Sequence, residues 1–336
     1  MRVIVTGGAG FIGSNFIRYI LKKKPGWDIT NIDALTYAGN LANLSGIEDS
    51  PKYKFIKGDI SNPEDVERLF ESEYDYLVNF AAETHVDRSL YEPGLFLKTN
   101  VLGTQLLLNY ALEKRIKRFI QISTDEVYGS LESEGYFDES SPLSPNSPYA
   151  ASKASADVIC RSYSRTFDMP VIITRCGNNY GPYQFPEKVI PFFITKALKD
   201  EPLPLYGDGL NVRDWIHVED HCDAILAVLE KGEIGEVYNI GGGNERTNLE
   251  LTRIILEILG KPESLIKFVK DRPGHDRRYA LNCDKIKAEL GWSAQMDFAD
   301  GLRKTVEWYL NNKKWCDDVI SGEYMKFYEL HYRERS

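Results

Sequence analysis

A short β-branched run, Val3 to Thr6, passes directly into Gly7-Gly-Ala-Gly10-Phe11-Ile12-Gly13 and then into apolar residues at helical spacing, Phe16, Ile17, Ile20 and Leu21. The run predicts a buried strand, the small residues a tight turn, and the apolar spacing an amphipathic helix. Small residues let the backbone approach a pyrophosphate, and the free amides and dipole of the new helix stabilise its charge. The Gly-x-x-Gly-x-x-Gly spacing departs from the commonest Gly-x-Gly-x-x-Gly fingerprint. By itself it fits a plain glycine-rich turn as well as a dinucleotide site.

The context favours the dinucleotide. A second strand pattern, Ile29 to Ile32, ends at Asp33, about 20 residues past the last glycine, where an acid on the ribose hydroxyls is expected. A carboxylate there repels a 2′-phosphate, which favours NAD over NADP; a strand-ending Asp also suits the capping of a loop. Gly58-Asp59-Ile60 closes the next apolar run and would bring Asp59 near the adenine edge, while Asn79-Phe80-Ala81-Ala82 closes the fourth with small residues beside the cofactor.

Apolar strand runs alternate with amphipathic helices up to about residue 180: Val3 to Thr6, Ile29 to Ile32, Phe55 to Gly58, Tyr76 to Phe80, Phe119 to Ser123 and Val171 to Arg175. That rhythm predicts an α/β fold, a Rossmann-type doubly wound parallel sheet, with ligands outside the carboxyl ends of its strands. Beyond Tyr180 the chain turns irregular and rich in proline and glycine, as a smaller mixed α/β substrate-binding domain would be. The expected division is an NAD-binding domain over 1–185 with 218–243 returning to it, and a substrate-binding domain mainly over 186–217 and 244–336. The return is carried by a helix from Val218 to Glu230.

A net charge of -9 and a pI near 5.3 argue against nucleic acid or an anionic membrane as main partner. No apolar run is long enough to span a bilayer, and the chain enters its first strand without a secretory leader, so a cytoplasmic enzyme is expected. Cys160, Cys176, Cys222, Cys283 and Cys316 are odd in number and scattered, which fits a reducing compartment with neither disulfides nor a zinc site. Asn43-Leu44-Ser45 matches a glycosylation sequon that has no meaning without secretion.

Ser147 and Pro148 suit the cap and first position of a helix that carries Tyr149 and Lys153, four apart and hence on one face. A neighbouring cation lowers a phenol's pKa from ~10 by about 1 to 3 units, which makes Tyr149 a usable base. Thr124-Asp125-Glu126 follows the strand run Phe119 to Ser123, so these side chains stand at the carboxyl end of a central strand. Adjacent carboxyls in a water-poor cleft can split, one protonated and one ionised, and so supply the acid and base that elimination of water needs. A surface acidic turn and a surface Tyr/Lys pair are the plain alternatives.

The order Thr6-Gly-Gly-Ala-Gly-Phe-Ile-Gly13, Ser123-Thr-Asp-Glu-Val-Tyr-Gly129 and Tyr149-x-x-x-Lys153 resembles the extended short-chain dehydrogenase/reductase superfamily. Within it, the chain resembles the dTDP-glucose 4,6-dehydratase family over essentially its full length. The most specific segments are Asn31 to Gly39, Ala82 to Ser89, Thr124 to Glu126, Arg175 to Pro182 and Asp271 to His275. The resemblance implies oxidation of the sugar at C4 with Tyr149 as base, Lys153 as helper and Thr124 on the developing carbonyl. It implies elimination across C5 and C6 with Glu126 as base and Asp125 as acid, then return of hydride to C6. It further implies NAD contacts at Leu35, Thr36, Ile60, Thr84, Thr99 and Asn179. Substrate contacts are implied at Thr84, His85, Asn178, Lys188, Val189, Pro204, Tyr206, Arg213, Asn248, Arg272 and His275, besides the catalytic triplet. Arginine suits the diphosphate because its planar fork pairs bidentately with phosphate oxygens. In relatives, helices corresponding to Val101–Leu112 and Ala150–Tyr163 pair with their symmetry mates in a four-helix bundle, which implies a homodimer.

His217 and His221 stand four apart, but Glu219 is displaced from the zincin position, so no metal site is expected. The aromatic end, Trp308, Tyr309, Trp315, Tyr324, Phe327 and Tyr328, reads as packing. A nucleotide-sugar 4-epimerase, a UDP-sugar dehydratase and a silent NAD-binding regulator remain open at this stage.

Overall fold

In the computed structural model, which describes residues 1–320, the strands are β1 (Arg2–Thr6), β2 (Asp28–Asp33), β3 (Tyr53–Lys57), β4 (Tyr76–Asn79), β5 (Arg118–Thr124), β6 (Val171–Cys176), β7 (Asn178–Tyr180), β8 (Leu203–Tyr206), β9 (Val212–His217), β10 (Val237–Ile240), β11 (Glu245–Thr247) and β12 (Ile266–Val269). The helices are α1 (Phe11–Lys23), α2 (Pro63–Leu69), α3 (Val86–Ser89), α4 (Pro93–Phe96), α5 (Thr104–Glu113), α6 (Pro148–Phe167), α7 (Val189–Leu198), α8 (Val218–Lys231), α9 (Asn248–Leu259), α10 (Asp284–Leu290), α11 (Phe298–Asn311) and α12 (Lys313–Ile320). Tyr324, Phe327 and Tyr328 lie outside the described residues. Among the described residues no helix is long and apolar enough to cross a membrane.

Seven parallel strands form the main sheet in the order β10-β6-β5-β4-β1-β2-β3. Helices cover both faces, so its strands read as unbroken apolar runs. Side chains alternate between those faces. Val3, Val5, Val78, Ile120 and Ile172 join α1 and α8 in one core, while Ile4, Ile32, Leu77, Phe119 and Ile173 join α2, α5 and α6 in the other. Ile4 is fully buried; truncation to alanine should destabilise by about 2 to 5 kcal/mol. The strand order reverses between β1 and β4, which opens a crevice at their carboxyl ends.

The sequence boundaries need three adjustments. β7 leaves the main sheet and pairs with β9 in a three-stranded sheet, order β11-β9-β7, beside the parallel pair β8-β12. β10 and α8 do return to the main sheet, yet Ile286 and Trp292 also pack into its core, so the stretch after 244 is shared between the two regions. The helix expected from Val101 begins at α4 and passes through a π-helical turn, Leu97–Gly103, before α5. That wide turn aims Asn100 inward: its amide nitrogen donates to the Glu83 carbonyl at 3.0 Å and to Ser152 Oγ at 2.8 Å, and its oxygen accepts from the Glu83 amide at 2.8 Å. The remaining core, from Tyr180 through Leu205, Trp215 and Leu251 to Tyr309, is built on α7, α9 and α11, with Trp308 and Trp315 packed against it.

Candidate active site

The β1–α1 turn closes only because its corners lack side chains. Gly7 has φ +67°, and a Cβ there would stand 2.7 Å from Ala81 Cα; at Gly13 it would stand 2.4 Å from the Gly7 carbonyl oxygen. α1 starts at Gly10 with no side-chain cap and no acid in its first turn, leaving its positive end to an anion. Asp33 terminates β2 and faces the same turn. Its two carboxyl oxygens accept from the Ala9 amide at 2.9 Å and the Leu35 amide at 2.8 Å. Burial pushes its pKa up while those amides hold it down.

A single cavity runs from this turn to the ends of β5 and β6. It is lined by Gly7, Gly10, Phe11, Ile12, Gly13, Asp33, Thr36, Asp59, Ile60, Phe80, Ala81, Ala82, Thr84, Thr99 and Asn179, together with Thr124, Asp125, Glu126, Tyr149, Lys153, Asn178 and Lys188. Leu35 is not in that lining; its backbone, at φ +54°, serves Asp33 instead. Glu83, Gln184 and Glu187 line the cavity without having been singled out. Glu83 and Glu187 are neighbours of Thr84 and Lys188, so their sequence signal was adjacency to recognised motifs.

α6 holds the phenol and the ammonium. Ser147 Oγ caps it by accepting from the Ala150 amide at 3.1 Å, and Pro148 occupies its first turn. Lys153 Nζ donates to the Ile122 carbonyl oxygen at 2.6 Å, so the helix is tied to β5. Burial outweighs the lowering of Tyr149 expected from Lys153. Burial, followed by the Glu126 charge, pushes the phenol well above its usual range, and the Thr124 hydroxyl opposes that rise. Burial in turn lowers the Lys153 ammonium.

The β5 end supplies unequal carboxyls. Thr124 Oγ1 caps the turn by accepting from the Glu126 amide at 3.3 Å and bonds Asp125 Oδ1 at 3.1 Å. Burial and the neighbouring Glu126 push Asp125 up to about 8, and its Oδ2 is buried without a hydrogen-bond partner among the described residues. Burial also raises Glu126, but Arg272, Arg213 and Lys188 oppose it. At neutral pH Asp125 therefore carries a proton, while Glu126 has three cations favouring its charge.

Arg272, Arg213 and Lys188 bring positive charge to Glu126 from the second region. Arg272 Nε lies 3.6 Å from Asp87 Oδ1, and its buried Nη1 has no hydrogen-bond partner among the described residues. Arg213 donates to the Val212 and Asp276 carbonyls and lies over the Tyr279 ring at 4.3 Å. Tyr206 packs edge-on against His275 and donates to Asp87 at 3.4 Å. Lys188 Nζ donates to the Thr84 carbonyl at 3.1 Å, and burial pushes adjacent Glu187, which accepts from Tyr37 at 3.1 Å, up to about 7. His85 caps α3, accepting from the Arg88 amide at 3.0 Å, and Pro204 sits within β8. Val189 and Asn248 open α7 and α9. The histidines at the cap and in the first turns of α8 diverge. His217 Nδ1 accepts from the Glu219 amide at 3.3 Å, whereas His221 Nδ1 meets Asn179 Oδ1 at 2.8 Å.

Residues 4–305 match the family model described as GDP-mannose 4,6 dehydratase. A dTDP-glucose 4,6-dehydratase of Xanthomonas campestris pv. campestris is 50% identical over 340 residues, covering 96% of each chain. The crystal structure of DesIV, a dTDP-glucose 4,6-dehydratase from Streptomyces venezuelae solved with NAD bound, superposes with a TM-score of 0.92 at 51% identity, covering 95% of this chain and 100% of that one. A UDP-glucose 4-epimerase from Thermotoga maritima shares the fold at a TM-score of 0.87 and 31% identity, covering 93% of this chain and 100% of that one. Half-identical relatives spanning nearly its whole length make this chain a member of the dTDP-glucose 4,6-dehydratase family, within the extended short-chain dehydrogenase/reductases.

Proposed function

We propose that the protein is an NAD-dependent dTDP-glucose 4,6-dehydratase, a hydro-lyase that yields dTDP-4-keto-6-deoxyglucose and water. The observation that carries this reading is the pair of buried, electrostatically unequal carboxyls, Asp125 and Glu126, in one cavity with Tyr149. Alcohol oxidation alone needs neither carboxyl.

The cofactor side of the cavity fits NAD. A turn whose corners have no room for a Cβ meets the uncapped positive end of α1, which suits a pyrophosphate. Asp33 suits two ribose hydroxyls. When bound, NAD supplies a hydride acceptor at the start of the cycle and a hydride donor at its end.

The protein's own groups do the rest. Tyr149 takes the proton of the C4 hydroxyl, and Thr124 bonds the oxygen as it becomes a carbonyl. That ketone acidifies C5, from which Glu126 removes the proton while Asp125, protonated at neutral pH, gives its proton to the leaving C6 hydroxyl. Arg272, with a buried N–H that has no hydrogen-bond partner among the described residues, and Arg213 suit the diphosphate.

Incubating the purified protein with dTDP-glucose and following the 4-keto product tests the reading. The epimerase likeness gives the alternative its footing, and dTDP-galactose as product, with no water lost, would establish it. UDP-glucose in a parallel reaction tests the choice of base.

We also read 1–185 with 218–243 as the NAD-binding domain, supported by β10 in the main sheet. Five free cysteines fit a cytoplasmic enzyme. A homodimer through α5 and α6 is supported by Leu97, Leu102 and Val158, each more than half exposed on the connected helical layer.

A further inference from the structure

Behind the catalytic face of α6 lies a row of buried charges that the reaction itself does not call for. Asp157 sits one turn beyond Lys153, on the same side of the helix. Its Oδ2 accepts from Arg175 Nε at 2.9 Å, with both side chains almost fully buried. Arg175 is fixed from behind as well: its Nη1 donates to the Tyr128 hydroxyl at 2.9 Å, that hydroxyl donates to Asn239 Oδ1 at 2.7 Å, and the guanidinium lies over the Tyr128 ring at 4.8 Å. Lys153 and Cys176 line the catalytic cavity, whereas Asp157 and Arg175 line a separate cavity on the far flank of α6. The ion pair therefore stands as the wall between them.

We propose that the buried Asp157–Arg175 ion pair sets the charge state of Lys153 and, through it, the ease with which Tyr149 gives up its proton. This makes both residues positioning residues, and it rests on the reading of Tyr149 as the oxidation base. The argument is one of charge balance. A fully buried ammonium needs an opposing charge, and Asp157 is the foremost group countering burial at Lys153, ahead of Cys176 and Cys160. Burial raises Asp157, and Arg175 is the foremost group opposing that rise in favour of its charge, with Lys153 and the Ser123 hydroxyl adding to the effect. Tyr149 faces Glu126, Cys176, Thr124 and Asp125, so Lys153 is the cation on its own helix available to offset them. Two cations and one anion leave a single net positive charge beside the phenol.

The two halves of the pair have opposite signs, and so must their removal. Asp157→Asn leaves two unopposed cations. Lys153 then sheds its proton at lower pH, and while it remains charged the tyrosinate forms at lower pH, so both limbs of the pH–rate profile for C4 oxidation move down by about one unit. Arg175→Gln leaves Asp157 unopposed, and both limbs move up. Asp157→Asn/Arg175→Gln removes both charges and returns the limbs to within about half a unit of the native profile.

The experiment measures transient NADH absorbance with dTDP-glucose against pH for the NAD-loaded enzyme and the three variants, with circular dichroism to check folding. Either folded single variant decides, because each carries its own sign, and the double variant decides if neither folds. Lost activity with unmoved limbs, or both single variants moving the same way, overturns the proposal, as does a displaced profile in the double variant. Persistent oxidation in Tyr149→Phe would instead mark failure of the base assignment and leave the pair's role to the limb shifts.

Discussion

Lys153 Nζ reaches across from α6 to donate to the carbonyl oxygen of Ile122 at 2.6 Å, two residues before the Thr124-Asp125-Glu126 triplet. The helix that carries the proposed oxidation base is thereby fastened to the strand that carries the proposed elimination acid and base. Both halves of the chemistry share one rigid frame, as a bound sugar must be handed from one set of groups to the other without leaving.

Asp125→Asn and Glu126→Gln keep the shape of the site and remove proton transfer. Each should leave substrate affinity nearly intact and slow formation of the 4-keto product by about 100-fold or more. Product formation by each variant, with nucleotide binding measured by calorimetry, checks this; near-normal turnover in both would remove the triplet from the mechanism.

The raised pKa of Asp125 has a pH signature. Its protonated form, the general acid, predominates below about 8, so the elimination step should weaken as pH rises through that value. The same shift acts on stability. A carboxyl whose folded pKa lies above its unfolded one contributes stability that is present below the unfolded pKa, near 3.8, and is lost as pH rises through the folded pKa. Asp125→Asn should therefore raise the Tm, with a gain that grows from about pH 4 to about pH 8 and then levels off. A gain independent of pH would mean that Asp125 stays ionised in the fold.

Tyr149→Phe should abolish C4 oxidation, with no NADH absorbance even transiently. Lys153→Met should raise the pH at which oxidation begins, since it deletes a charge that favours tyrosinate. An unchanged acid limb in that variant would defeat the helper role.

Asp33 accepts two backbone amides at the end of β2, and both favour its charge against burial. The wild-type protein should prefer NAD strongly over NADP, and Asp33→Ala should narrow the gap. Equal use of both cofactors by the unaltered protein contradicts the assignment.

What the sequence made legible was local. The glycine turn, the acidic triplet and Tyr149 with Lys153 each follow from spacings under a dozen residues, and Asp33 from its place at the end of the next strand run; the cavity gathers all of them. Partnerships formed at long range were not legible: Glu187 with Tyr37, Asn179 with His221, and Asp157 with Arg175 depend on which surfaces the finished fold presses together. The Tyr149 poise was misjudged for the same reason, because helical spacing gives the nearness of Lys153 but not the depth of burial that dominates both groups. β7 was not read as a strand at all, because three residues carry too little periodicity to declare one.

Assembly gives the last test. The apolar stripe expected at Leu102, Leu106 and Tyr110 divides in the structure: Leu106 and Tyr110 pack partly into the core, Tyr110 stacking on Phe70, while Leu102 is 60% exposed. Leu97 and Val158, at 51% and 56%, extend the apolar surface across the neighbouring helices. A two-fold contact would cover such a patch with its own copy. Light scattering should therefore give twice the 38.3 kDa chain mass, and Leu102→Glu/Val158→Glu should halve it by placing like charges in the contact. Because α6 also carries Tyr149 and Lys153, the monomeric variant should lose activity along with its partner. A fully active monomer at micromolar concentration would sink both the dimer and its bracing of the site.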